Sequence, residues 1–151
     1  MTDSIEALIV GLRALANPPA SAETLRRARS DFGELPEEVR LFYEHMDGTR
    51  EMTPVEQAAI RFWPISEWKP VARETSPELY PQLASAPLVA DHMIDSWWYA
   101  LDCSPTSRTF GVVFLVDGAR PAVSAAPSFT DFVRAVLSDD WSLYPRATSA
   151  P

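Results

Sequence analysis

Trp97-Trp98-Tyr99-Ala100-Leu101-Asp102 and then Phe110-Gly111-Val112-Val113-Phe114-Leu115-Val116 decide how this chain folds, because both runs read as neighbouring strands of one sheet. The second run lacks a polar residue, is rich in branched and aromatic side chains, and is too short for a buried helix, which predicts a strand covered on both faces. Asp117-Gly118 then predicts a two-residue turn, and Ala119 to Ser124 the returning strand. Pro121 has no ladder donor, so that strand belongs at an edge or carries a bulge.

Upstream, Leu88-Val89-Ala90 begins the middle of the sheet, and Asp91 to Ser96 leads into the Trp97 strand. Ile60-Arg61-Phe62-Trp63 predicts a further strand closed by Pro64. Between these, Ser66-Glu67-Trp68 predicts one helical turn, and Lys69 to Pro87, with its prolines, reads as connecting structure with a short helix at Pro77 to Tyr80. Thr49 to Gln57 is polar and reads as loop.

Helices flank the sheet in the sequence. Asp3 or Ser4 can cap a first one over residues 4–16, in which Ile5, Leu8, Ile9, Leu12 and Leu15 share a face before Asn17-Pro18-Pro19. Ser21 caps a second, with Leu25, Ala28 and Phe32 on one side and a break at Gly33. In the third, Pro36 stands at the start, Glu37 and Glu38 suit the positive end, Val39, Phe42, Tyr43 and Met46 recur at helical spacing, and Asp47-Gly48 stops it. Ser128 and Asp131 form a capping-box-like start for a last helix bearing Phe129, Phe132, Val133 and Val136. Helices, strands, then a helix predict an α+β domain: a central, mainly antiparallel sheet with helices packed on one face. That domain is expected to span residues 1–146, with 147–151 a loose tail.

The formal charge of −8 argues against a nucleic-acid partner, because phosphate binding needs a basic surface, and against an anionic membrane. The same acidity favours salt-sensitive encounter with a basic protein surface, although the simpler reading is that it serves solubility. Cys103 is the only cysteine, so no intrachain disulfide can form. No basic n-region precedes the apolar segment Ile5 to Leu15, and no apolar run reaches the ~20 residues of a membrane helix, so a cytoplasmic location is expected.

Little in the sequence points to catalysis or to a cofactor. With His45 and His92 as the only histidines and a single cysteine, neither a multi-imidazole metal site nor a thiolate cage can be built. There is no Gly-rich phosphate loop and no nucleophile elbow. Cys103 with His92, oriented by Asp91 or Asp95, is the one dyad that can be written, but a lone cysteine after an aromatic strand reads more simply as a small buried hydrophobe. Asp91 and Asp95 are expected to solvate a strand connection and Asp102 to end a strand. Trp97 and Trp98 are adjacent and so face opposite sides of the sheet, one under the helices and the other beneath a loop such as Lys69 to Pro87 or open to a partner.

Taken in order, several short segments resemble the SUKH superfamily, which contains the yeast cell-wall regulators of the Smi/Knr type and many bacterial immunity proteins. Gly33-Glu34-Leu35-Pro36-Glu37-Glu38 with Phe42-Tyr43 and Asp47-Gly48 is similar to its opening. Phe62-Trp63-Pro64-Ile65-Ser66-Glu67-Trp68 resembles its strand and following short helix. Val89-Ala90-Asp91-His92, Trp98-Tyr99-Ala100-Leu101-Asp102 and the segment from Val123 to Phe132 complete the ordered set. The chain departs from the common pattern between the two middle strands, where it has Met93-Ile94-Asp95-Ser96 in place of glycines.

The resemblance implies an α+β fold and a binding protein without catalytic residues or cofactor. It further implies, as the leading expectation, an immunity protein that neutralises a cognate toxin domain, often a nuclease. Asp91 and Asp95 are the residues expected to face a basic cleft of that partner. The alternative is a regulatory interaction scaffold of the Smi/Knr type without a toxin partner, binding through the aromatic sheet face of Trp97 and Trp98, and the third reading is a cysteine enzyme built on Cys103 and His92.

Overall fold

Among the described residues five antiparallel pairings tie the strands together, and the longest of them run through the tryptophan strand. A computed structural model describes residues 4–50, 58–93 and 95–145. The elements are α1 (Ile5–Val10), α2 (Ala22–Phe32), α3 (Glu37–His45), β1 (Ile60–Phe62), β2 (Lys69–Pro70), α4 (Val71–Glu74), β3 (Pro87–His92), β4 (Trp97–Leu101), β5 (Val113–Val116), β6 (Val123–Ala126) and α5 (Phe129–Ser138), with 3-10 turns at Arg13–Leu15, Ile65–Glu67 and Trp141–Leu143. The sheet order is β1-β3-β4-β5-β6, and β2 pairs with the other end of β3. The fold is therefore α+β, with helices packed against an antiparallel sheet.

Cross-strand register decides what each face carries. Phe62, Ala90, Tyr99 and Leu115 stand in one row, and Tyr99 meets the ring of Phe132 from α5 at 4.9 Å. On the same side, Phe62 packs against Phe42 of α3 at 5.3 Å and Phe132 at 5.6 Å. These rings are buried, so their apolar area is the main stabilising contribution of the helical layer. The neighbouring row, Arg61, Asp91, Trp98 and Val116, points to the opposite face.

That opposite face is crossed by residues 71–86, which include α4. Tyr80 fastens the crossing to the β5–β6 connection: its hydroxyl donates to Arg120 O at 2.7 Å and accepts from Gly118 N at 2.9 Å. The short helix expected at Pro77 to Tyr80 is a turn, and the helix lies earlier, at Val71–Glu74. Pro70 starts it, since the first helical turn needs no amide donor there.

The caps behave as their chemistry requires. Ser4, Ser21 and Ser128 each accept an amide hydrogen from the third residue on, Ala7, Thr24 and Asp131. The first helix does not run to residue 16; it closes at Gly11 and continues as a 3-10 turn. The turn is needed because Ala16 bridges to Thr49 and Asn17 N donates to Gly48 O at 3.0 Å, which draws the chain back over the end of α3.

Two boundaries in the sheet differ from the expected ones. β5 begins at Val113, because Gly111 adopts φ 86° beside Pro36 and Phe110 lies in the preceding turn. Phe114 is only half-buried, so the strand is not covered on both faces throughout. The β5–β6 connection is wider than a two-residue turn, since Asp117 Oδ1 accepts from the amides of both Ala119 and Arg120. Pro121 falls in that connection, and β6 is an edge strand as expected. The loop expected over Thr49 to Gln57 lies mostly outside the described residues.

Candidate protein-binding surface

β3 and β4 end together, and the connection between them is held by the residues the sequence singled out. Asp95 N donates to Asp91 Oδ2 at 3.1 Å, and Trp98 Nε1 donates to Asp95 Oδ1 at 2.9 Å. Met93 and Asp95 both have positive φ, 44° and 63°. The backbone thus takes left-handed steps at positions without glycine, a conformation that costs a side-chain-bearing residue free energy unless local hydrogen bonds hold it. The Asp91–Asp95–Trp98 chain supplies those bonds.

Asp91 does not solvate a connection. It lies inside β3, paired with Arg61 of β1 and Trp98 of β4, and is 4% exposed. Burial raises its pKa above the usual carboxylate value, while the Asp95 amide and the Arg61 charge pull the other way. Asp95, by contrast, is exposed. Only one of the two carboxylates is therefore presented to solvent.

The sign of the Asp91 shift fixes a prediction. A carboxyl with a raised folded-state pKa contributes stability below its ordinary pKa, and that contribution is lost as the pH rises through the folded value. At neutral pH the ionised group destabilises the fold. Asp91→Asn, which keeps an oxygen to accept from Asp95 N, is expected to melt at a higher temperature than the parent at pH 7, with the gap closing as the pH falls towards 4. A variant that melts lower at pH 7 would mean that the Arg61 attraction outweighs the burial.

Trp97 and Trp98 are each half-buried, on opposite faces. Trp97 stacks on His92, with ring centres 3.9 Å apart and planes 6° apart, and donates from Nε1 to Tyr99 Oη at 2.8 Å. Tyr144 closes the other side, its ring edge-on to both His92 and Trp97, and Tyr99 donates to Leu143 O. Trp98 lies towards Gly118 and Thr75, beneath the crossing segment. His92 is lowered in pKa by burial, and its Nδ1 is enclosed without a hydrogen-bond partner among the described residues.

The Cys103–His92 dyad is not assembled. His92 stands beside Trp97 at the start of β4, and Cys103 follows the end of the same strand. The thiol is buried, which pushes its pKa up to about 12, and the neighbouring Asp102 adds to the rise. A thiol held protonated in this way is a packing group and not a nucleophile.

The sequence reading missed what this end of the sheet exposes. Trp141, in the 3-10 turn that packs against β6, is 88% exposed, and Met93, at the β3–β4 tip, is 63% exposed. Exposed acids stand among them: Asp95 on the tip, and Asp139 and Asp140 immediately before Trp141. Asp139 takes a left-handed conformation and ends α5, which turns the chain so that Trp141 points outward while Leu143 is buried. Composition alone carries no signal separating Trp141 from the other four tryptophans, because its exposure follows from that cap.

The architecture is that of an α+β domain whose helices pack against an antiparallel sheet, with exposed aromatic and acidic side chains at one end. The chain belongs to the SMI1 / KNR4 family (SUKH-1), whose model matches residues 19–135. No curated protein is matched by the sequence. Among the described residues no helix is long and apolar enough to cross a membrane.

Proposed function

We propose that this chain is a non-catalytic protein-binding domain of the immunity type, which occludes a cognate toxin domain through the sheet end bearing Met93, Asp95, Trp97, Trp98 and Trp141. The observation that carries the reading is Trp141, a large indole left 88% exposed beside two acidic residues. Tryptophan is enriched among the few residues that dominate binding energy at protein interfaces. The charge of −8 supports a basic partner, met through long-range attraction. Family membership supports a protein partner in place of a substrate. Asp91 acts in this reading by fixing Asp95, not by touching the partner.

The test is co-expression with the product of the reading frame adjacent to this one, followed by calorimetric titration of that product. Rescue of growth and binding that weakens with added salt are expected, and Trp141→Ala is expected to lower affinity at least tenfold without changing the melting temperature. Absence of both rescue and binding would remove the immunity reading. Tight, salt-insensitive binding to a protein that is not a toxin, lost on Trp97→Ala or Trp98→Ala, would replace it with the regulatory scaffold.

A further inference from the structure

Alternation along β4 places Trp98 and Ala100 on the face turned away from α5, and Asp102, one residue past the strand, continues that row. The crossing segment 71–86 covers this face incompletely and leaves a half-open cavity of about 260 Å³. Leu79 and Leu83 line it from the segment, and Phe114 and Ala122 from the sheet side. Asp102 stands in the wall with Ser107 and Thr109, and is 5% exposed.

Asp102 accepts three hydrogen bonds. Oδ1 accepts from Ser104 N at 2.9 Å, and Oδ2 accepts from Ser107 Oγ at 2.7 Å and Thr109 Oγ1 at 2.6 Å. All three donors are neutral, and a carboxylate offers about four acceptor positions, so three donors leave one to spare. The Asp102 side chain therefore stands in the wall of a space whose other lining is mixed, with Leu79, Leu83 and Phe114 as its apolar part and Gln82, Ser107 and Thr109 as its polar part. Such a wall favours a cation on an aliphatic stem, since the stem gains burial and the head gains a charge-assisted hydrogen bond. The volume lies below the roughly 300–1,000 Å³ of ordinary small-molecule sites and suits a single long side chain.

We infer that this cavity is a socket for one arginine or lysine side chain of a protein partner, seated with its charged head on Asp102. The choice of a protein as the source rests on the binding function proposed above; the cation chemistry does not. The socket lies on the face opposite α5, apart from Trp141, and so gives the domain a second point of contact with a basic partner.

The test needs only the isolated full chain. Amide chemical shifts of Ser104, Ser107 and Thr109 are followed by NMR during titration with n-butylguanidinium, n-butylurea and N-acetylarginine amide. Saturable shifts with n-butylguanidinium are expected, with the neutral urea of the same shape binding at least tenfold more weakly. Asp102→Asn is expected to abolish that preference. The comparison of the two probes on the parent chain stands even if the variant disturbs the 104–109 loop. Equal response to both probes, or no saturation, would overturn the socket. N-acetylarginine amide is expected to bind as well as n-butylguanidinium; its exclusion would mark a site for a small free cation and overturn the assignment to a partner side chain. Either failure would leave the Trp141 titration unaffected, so the two readings fall separately.

Discussion

Phe132→Ala is expected to lower the unfolding free energy by about 3–5 kcal/mol, the usual range for emptying a phenylalanine site in a close-packed core. Phe132 is fully buried in α5, and its ring lies 4.9 Å from Tyr99, 5.6 Å from Phe62 and 6.1 Å from Phe129. It is the point at which the last helix touches both β1 and β4. Neighbouring rings are rigid and are themselves wedged against Phe42 and Tyr43, so the void cannot collapse cheaply. Urea denaturation should show a lower midpoint with an unchanged slope. A loss below about 1 kcal/mol would mean that α5 is not seated on the sheet as described.

Gly48→Ala is the second large effect. Gly48 has φ 74°, and a Cβ there would stand 2.6 Å from Phe62 O and 2.7 Å from Pro64 N and Trp63 C. Those atoms are backbone and cannot swing aside. The left-handed conformation alone costs a non-glycine residue about 1–2 kcal/mol, and displacing β1 adds to it, so a loss above about 3 kcal/mol is expected. Much is tied at this point: Asn17 Nδ2 donates to Asp47 O and Thr49 O, Thr49 N donates to Phe62 O, and Ile65 N donates to Asp47 Oδ1. Gly118→Ala is the matched control. Gly118 has φ 80°, but its Cβ would meet nothing closer than 3.9 Å, so only the conformational cost should appear in its thermal melt. Equal losses at the two positions would rule out close approach as the cause.

The elements whose signals are local were legible. Serine caps and 3.6-residue spacing placed α2, α3 and α5, and alternation placed β4, because each of these depends on residues a few positions apart. What was misread depends on distant partners. β3 extends through Asp91 and His92 because β1, some thirty residues earlier, pairs with them, and a carboxylate in a strand interior resembles a turn residue until that partner is known. β2 and α4 hide among prolines and exist because β3 and Ala86 O offer hydrogen bonds. At the surface, sequence position and strand alternation single out Asp95, Trp97 and Trp98, whereas they do not single out Met93 and Trp141, whose exposure is set by the β3–β4 tip and the cap at Asp139.

Both borders of the sheet are brief. On one side β3 is flanked by three residues of β1 and two of β2, with Pro64 and Pro70 breaking the run; on the other, β6 has four residues. A fibril grows by adding strands to a long, unbroken hydrogen-bonding border, and short or proline-interrupted borders give an incoming strand little to match. Short, proline-flanked borders of this kind blunt backbone pairing between copies of a chain that carries five tryptophans.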